Sequence, residues 1–230
     1  MPAERVDPAS GKPVSEAAGG ARQSTAARPS DEQLLEAACR AFAEFGLLGT
    51  SMDVLAKRAN TTKPTLYAHF GSKDELYEAC LRREAAKLTQ QLFTTYEQAA
   101  ALPAGQQIHA GMRAFFDYAA ERPDGFRLLF DDQTRGNVGA VRSDLLNAIT
   151  ERVSGRVRAV AVRHGGATPT VSADLLAAMV VGIAVHGIRH ALRCGSIDLA
   201  QPGELASSLA SAGMRHLDPE LMKTLDEADS

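Results

Sequence analysis

Helical spacing of apolar residues runs through almost the whole chain after Ser30, and this feature limits the possible folds more than any other. Apolar side chains recur three and four residues apart, as they do on one face of a helix. No run combines strict alternation with the β-branched residues that are typical of strands. The pattern therefore predicts an all-α protein of about nine helices that bury their apolar stripes against one another.

A capping box marks the expected start of the first helix. Ser30 is followed three residues later by Gln33, and the two side chains can cap each other's backbone. Gly46 is expected to end this helix. Residues 1–29 contain four prolines and few large apolar residues, so they are predicted to form a disordered N-terminal arm. The alternative is a basic arm that reaches a DNA minor groove through Arg22 or Arg28.

Residues 51–70 contain two short helix patterns on either side of a tight turn. The first pattern runs from Ser51 to about Ala59. Asn60 can adopt the left-handed conformation that such a turn often requires, and Thr62 is a suitable N-cap for the second helix. Two short helices joined by a three-residue turn are typical of a helix-turn-helix.

The same segment is locally basic, although the chain has a formal net charge of −3. No acidic residue occurs between Lys57 and Lys73, and such a patch can approach phosphates. Leu66 and Phe70 are expected to face inward, which leaves the other faces of the second helix available to a groove. The residues expected to contact DNA are Ser51, Thr61, Thr62, Lys63, Pro64, Thr65, Tyr67, Ala68, His69 and Lys73.

The stretch from Leu34 to Arg83 resembles the N-terminal domain of TetR-type regulators, through the runs LLEAACRAFAEFG, SMDVLAKRA and TKPTLYAHFGSKDELYEACL. Lys73 resembles the family lysine at the start of the fourth helix. The family's turn usually has the sequence Gly-Val-Ser, and the departure to Asn60-Thr61-Thr62 bears on operator preference. The resemblance implies a three-helix helix-turn-helix domain followed by a larger helical ligand-binding and dimerisation domain. It also implies a homodimeric repressor that a small apolar or aromatic ligand releases from operator DNA.

The expected domains are a DNA-binding domain at 30–85, an effector-binding and dimerisation domain at 86–220, and a C-terminal tail at 221–230. The stretch from Leu175 to Ile188, LLAAMVVGIAVHGI, is apolar on all sides and is too short to span a bilayer. One face can pack on the core and the other on a second subunit. The expected homodimer forms through helices near 170–193 and 202–217, as the resemblance also implies.

All 12 aromatic residues lie at or before Phe130, and seven lie between 93 and 130. They indicate either an ordinary core or an aromatic-lined ligand cavity, and the resemblance favours the cavity. The residues expected to contact a ligand are Phe93, Tyr96, His109, Met112, Arg113, Phe116, Phe126, Phe130, Gln133 and Met179.

Other functions find little support in the sequence. His186, His190 and Cys194 share a helical face, but three such residues on an interface helix are more often packing than a metal site. No nucleophile elbow, phosphate-binding loop or metalloprotease motif occurs. No enzyme activity, cofactor, metal or membrane partner is expected, and three widely separated cysteines indicate a cytoplasmic protein. The open alternatives are an activator, an effector-independent regulator with no cavity, and a helical hairpin that binds no nucleic acid.

Overall fold

The computed structural model describes residues 29–130, 138–163, 170–195 and 198–228. Within these ranges the secondary structure is helical, which confirms the all-α prediction. The first five helices are α1 (Asp31–Gly49), α2 (Met52–Arg58), α3 (Lys63–Phe70), α4 (Lys73–Gln98) and α5 (Ala104–Glu121). The others are α6 (Pro123–Phe130), α7 (Val138–Arg163), α8 (Val171–Arg193), α9 (Ala200–Arg215) and α10 (Pro219–Glu227). Most of the predicted N-terminal arm lies outside the described residues.

Helix α1 begins at the predicted capping box. Gln33 N donates to Ser30 Oγ at 3.3 Å, and Ser30 N donates to Gln33 Oε1 at 2.9 Å. Gly46 takes a left-handed φ of +69°, but the helix resumes for one turn to Gly49, so the predicted end is one turn early. The hydroxyl of Thr50 donates to the Gly46 carbonyl at 2.6 Å. That bond satisfies a carbonyl that the kink removes from the helical pattern.

Helix α4 connects the two halves of the molecule. Its 26 residues give it a length of about 39 Å. Its first half packs on α1 and α3, and it also packs on α5, α6 and α7. Fully buried leucines hold it in place along its length; these are Leu76, Leu81, Leu88 and Leu92. A displacement at one end of this helix can therefore reach the other end.

The C-terminal helices pack in pairs, α5 on α9, α7 on α8 and α8 on α9. A tenth helix, α10, occupies most of the segment that the sequence analysis takes as a tail. Asp226 on α10 accepts hydrogen bonds from the backbone N–H groups of Thr170 at 3.1 Å and Ser172 at 2.9 Å. These donors at the start of α8 need acceptors from outside their own helix, and this pairing fixes α10 against α8.

Helix α8 is the one helix of the described ranges that is long and apolar enough to cross a membrane, by length and composition alone. A core helix passes the same test. Here Ala177, Val181 and Ile188 are buried, and the helix packs on α7, α9 and α10. These contacts are those of a core helix.

Candidate nucleic-acid interface and ligand cavity

Helices α2 and α3 form the helix-turn-helix that the sequence predicts. Ser51 caps α2 by accepting from Val54 N at 3.3 Å, and Thr62 caps α3 by accepting from Thr65 N at 3.3 Å. Between them Asn60 takes a φ of +49°, the predicted left-handed conformation. The caps and the turn together fix the angle between the two helices.

Helix α3 buries one face and exposes the other. Leu66 is fully buried, whereas Tyr67 is 45% exposed. Lys63, Pro64 and Ala68 are exposed on the same outer surface. The exposed surface of α3 therefore contains the side chains that the sequence analysis assigns to a DNA groove. The other expected contacts border it: Ser51 and Thr62 are exposed, and Thr61 and Thr65 are half-buried.

Two carboxylates lie beside this surface, although the sequence between Lys57 and Lys73 contains none. Lys63 Nζ lies 3.1 Å from Asp53 Oδ2, and both side chains are solvent-exposed. His69 Nδ1 lies 2.7 Å from Asp31 Oδ1 at the start of α1. An exposed ion pair such as Lys63–Asp53 contributes about 0–1 kcal/mol, so a phosphate can replace the carboxylate of Asp53 at little cost.

Lys73, one of the expected phosphate contacts, forms hydrogen bonds within the protein. Its ammonium donates to the carbonyl oxygens of Leu47 at 2.9 Å and Thr50 at 3.1 Å. Carbonyls at a helix C-terminus lack intrahelical donors, and a cation there is favourable. The geometry therefore assigns Lys73 to joining α4 to the end of α1.

A cavity of about 220 Å³ lies among α4, α5 and the C-terminal helices. Its volume exceeds the roughly 150 Å³ of an apolar cavity that can hold benzene. Its walls are mostly aliphatic rather than aromatic. They are formed by Tyr96, Ala99, Ala104, Gln107, Ile108, Gly111, Met112, Val153, Arg156, Val157, Val160, Ala161, Leu176, Val180, Met214, Leu217 and Met222.

Of the expected ligand contacts that the structure describes, Tyr96 and Met112 line this cavity. Phe116, Phe126 and Phe130 are buried in the core, each at most 3% exposed. The rings of Phe126 and Phe130 pack with centroids 4.7 Å apart. These three rings fill space between helices, and the wall of this cavity is made of smaller side chains.

Four more of the expected contacts point elsewhere. His109 Nδ1 lies 2.9 Å from Ser207 Oγ on α9, and exposed Arg113 pairs with Asp117 at 3.6 Å. Phe93 packs under the Arg152 guanidinium, 5.4 Å from the ring centroid. Met179 is 62% exposed. The last expected contact, Gln133, lies outside the described residues.

Met179 misses the cavity by one position along α8. The lining residues of α8 are Leu176 and Val180, and one residue rotates a side chain by about 100° around the helix axis. Arg156, which is not among the expected contacts, interrupts the apolar row Val153, Val157 and Val160 on α7. A single cation inside an apolar stripe is the signal that could have identified it.

A cluster of charged side chains that the sequence pattern does not predict joins the DNA-binding half to the rest of the chain. Glu84 of α4 is fully buried and accepts from Arg122 Nε and Nη2, both at 2.7 Å, and from the Tyr118 hydroxyl at 3.0 Å. Arg122 Nη2 also donates to Glu36 of α1 at 3.0 Å. Arg83 bridges Glu84, Glu36 and Glu32.

The charges in this buried ion cluster stabilise each other. Burial by itself would raise the pKa of Glu36, but hydrogen bonds from Arg83 and Arg122 outweigh it and lower that pKa to about 2. Hydrogen bonds from Arg83 and Lys87 lower the pKa of Glu32 to about 2. Glu32 and Glu36 therefore remain ionised at neutral pH. The cluster links α1, α4 and the junction between α5 and α6.

An apolar surface on α8 and α9 remains uncovered. Leu175 and Met179 of α8 are 41% and 62% exposed, and Leu205 and Leu209 of α9 are 73% and 59% exposed. The spacing of four residues aligns each pair along its helix. The two helices that the sequence analysis assigns to a dimer interface thus expose adjacent apolar faces.

Comparisons with known proteins agree with this architecture. Residues 34–80 match the model of the family described as bacterial regulatory proteins, tetR family. The chain is 37% identical over 145 residues to the HTH-type transcriptional activator FasR of Mycolicibacterium smegmatis, a match that covers 59% of this chain and 63% of FasR. It is 30% identical over 99 residues to an HTH-type transcriptional repressor of Streptomyces coelicolor, covering 43% of this chain and 46% of the repressor. Each match spans less than two thirds of the relative.

The fold also matches solved structures. One is the transcriptional regulator FadR of Bacillus subtilis in complex with stearoyl-CoA, with a TM-score of 0.66 at 16% identity. The match covers 80% of this chain and 99% of FadR. At this identity the likeness establishes the fold alone.

Proposed function

Because the chain belongs to the TetR family of bacterial regulatory proteins, we propose that it is a sequence-specific DNA-binding regulator of transcription. The observation that carries the proposal is the helix-turn-helix with the exposed surface of α3. Lys63, Pro64, Tyr67 and Ala68 are free to enter a major groove, while Leu66 anchors the helix from below. The DNA-binding domain is 30–85, and α4 continues from it into the effector-binding and dimerisation domain at 86–220.

The active form in this proposal is a homodimer through α8 and α9. Burying Leu175, Met179, Leu205 and Leu209 against a second copy removes exposed apolar side chains from water. A two-fold dimer presents two α3 helices to successive major grooves, about 34–36 Å apart, and so selects a palindrome-like operator. The protein acts in the cytoplasm, where the DNA lies.

The cavity of about 220 Å³ is the proposed site of a small-molecule effector. Helix α5 offers a path from the cavity to the DNA-binding domain. Its first half lines the cavity through Ile108 and Met112, and its far end leads to Tyr118 and Arg122 in the buried ion cluster. A ligand that pushes α5 would pull on α1 and change the separation of the two α3 helices. The ligand must bind the non-DNA conformation more tightly for this shift to occur.

The direction of control depends on where the operator lies. A dimer bound across a promoter blocks transcription and acts as a repressor, which is the form we propose. An operator upstream of the promoter gives an activator. Of the two relatives, FasR is named an activator and the Streptomyces coelicolor protein a repressor.

The experiment that tests the proposal is selection of duplexes from a random pool by the purified full-length protein, followed by titration of the selected sequence. A palindrome-like consensus bound by two copies supports the proposal, and absence of sequence enrichment refutes it. Met179→Asp and Leu209→Asp should yield monomers with weakened operator binding, measured by light scattering and titration. Val162→Asp is the matched control, because Val162 is 53% exposed and lies on α7, outside α8, α9 and the DNA-binding domain.

A second experiment separates an effector-responsive regulator from an effector-independent one. Val157→Trp places a large ring in the cavity wall. It should abolish ligand binding while leaving operator affinity unchanged. Ligand-induced release of DNA that persists in this variant would refute the role of the cavity.

A further inference from the structure

Arg156 is the one charged side chain among the described residues that line the cavity. Its Nη2 is buried and has no hydrogen-bond partner within the described part of the chain. A guanidinium offers five N–H donors, and burying one without an acceptor is costly. A cation in this position calls for an acceptor from outside the chain.

The neighbouring side chains do not supply that acceptor. Burial lowers the pKa of Arg156, and the nearby cations Arg152 and Arg163 lower it further. Arg152 is already paired with Glu97, and Arg163 donates to the Ala100 carbonyl at 3.3 Å. These arginines add positive charge where a negative one is needed. Glu97 and Glu151 border a groove that Arg156 also borders, but neither forms an ion pair with Arg156 in the described part of the chain.

The remaining polar groups of the cavity wall are neutral or already bonded. Burial raises the pKa of Tyr96 to about 12, so its phenol is uncharged at neutral pH. Gln107 Nε2 donates to the Leu102 carbonyl at 2.7 Å. The cavity thus combines a long apolar wall with one unpaired cation.

The position of Arg156 sets the orientation of a ligand. Besides the cavity, Arg156 borders two shallower surface grooves along α7, one with Arg158 and Arg163 and the other with Phe93 and Arg152. It therefore lies where the interior meets the outer surface. A ligand bound there would direct its charged end to Arg156 and its apolar part inward, along the aliphatic residues of α5, α7 and α8.

From this geometry we infer that the effector is an anionic amphiphile, an aliphatic chain that ends in a carboxylate or phosphate, and that Arg156 binds its anionic group. The planar guanidinium suits both oxyanions because it can donate two parallel hydrogen bonds to either. The inference rests on the proposed effector role of the same cavity, and it adds the chemical class of the ligand.

The test is calorimetric titration of the full-length protein with decanoate, decyl phosphate and decanol, each below its micellar concentration. The wild type should bind an anionic probe about 10- to 100-fold more tightly than decanol, as expected for a charge-assisted hydrogen bond. Arg156→Gln should remove this preference while retaining decanol binding, and Arg156→Lys should restore part of it. Arg113→Gln, an exposed arginine of α5 outside the cavity wall, should match the wild type.

The two anionic probes separate a carboxylate-selective site from a phosphate-selective one, and either result supports the inference. Equal binding of decanol and both anions by the wild type would overturn it, as would failure to bind any of the three. Equal loss of decanol and anion binding in Arg156→Gln would also overturn it, because Arg156 would then only shape the cavity. Operator titrations of the same ligand-free proteins report separately on the proposed DNA-binding function.

Discussion

The exposed surface of α3 and the buried ion cluster use similar charged residues in opposite ways. At the surface, Lys63 has one carboxylate at 3.1 Å, and water reaches both partners. In the cluster, fully buried Glu84 receives hydrogen bonds from Arg83, Arg122 and Tyr118. The surface pair can exchange its partner for a phosphate at little cost, whereas the buried partners cannot separate without stranding a charge. The first arrangement suits recognition, and the second suits a rigid joint between domains.

Disrupting the buried ion cluster should have the largest effect on stability. Arg122→Met removes two hydrogen bonds of 2.7 Å from Glu84 and one of 3.0 Å from Glu36. We expect a loss of about 3–5 kcal/mol in the free energy of unfolding, because a buried carboxylate loses a partner. Denaturant titration measures the loss.

Arg113→Met is the control for that measurement, since Arg113 forms an exposed pair with Asp117 at 3.6 Å. It should change the unfolding free energy by about 0–1 kcal/mol. A similar loss of unfolding free energy in both variants would mean that the buried ion cluster contributes no more to stability than an exposed pair.

A smaller disturbance of the joint comes from a single added methyl group. A Cβ at Gly125 would lie 2.3 Å from Glu84 Oε2 and 3.0 Å from the Tyr118 hydroxyl. Gly125→Ala should therefore push α6 away from α4 and destabilise the protein by about 1–3 kcal/mol. Gly155→Ala is the matched control, because no atom lies within 4 Å of its added Cβ. In that open helical position alanine should stabilise by about 0.5–1 kcal/mol, so thermal unfolding should shift in opposite directions. Equal shifts would contradict the tight fit at Glu84.

At the surface the expected effects concern DNA affinity rather than folding. Lys63→Ala should weaken operator binding by about 1–3 kcal/mol and relax the preference at one base position. Asp53→Asn removes the carboxylate that competes for Lys63, so binding should tighten, and neither variant should change the unfolding free energy by more than about 1 kcal/mol. Titrations at several salt concentrations test both. Weaker binding by Asp53→Asn would show that the Lys63–Asp53 pair positions the lysine instead of competing with DNA.

The local parts of this structure follow from the sequence, and the long-range parts do not. The caps Ser30, Ser51 and Thr62 and the left-handed Asn60 depend on residues within four positions, which the sequence displays directly. The cavity wall and the ion cluster join residues far apart in the chain, such as Glu36 and Arg122. No periodicity within one helix identifies the partner of its polar residue on another.

The aromatic residues show why composition alone does not locate the cavity. Phe126 and Phe130 are concentrated in one stretch because they fill the space where α6 meets the core, with ring centroids 4.7 Å apart. A cavity requires space that side chains leave unfilled, and the valines of α7 provide it near Arg156. Large residues therefore indicate where a core is densely packed. The better signal for the cavity is the run of valines on α7 that Arg156 interrupts.

The smallest expected effect is on the pH dependence of stability, which should differ between the buried ion cluster and an exposed ion pair. The pKa of Glu36 is lowered from 4.5 to about 2, so its carboxylate is ionised in the folded protein at a pH where the unfolded chain binds a proton. Its stabilising contribution is complete above pH 4.5 and is lost as the pH falls from 4.5 towards 2. Denaturant titrations across this range should show a decline in stability that is shallower in Glu36→Gln, which has no carboxylate to protonate. Glu44→Gln, from an exposed pair with Arg58 at 2.8 Å, should follow the wild-type profile. Parallel profiles for wild type and Glu36→Gln would remove Glu36 from the buried cluster and leave Glu84 and the arginines as the joint.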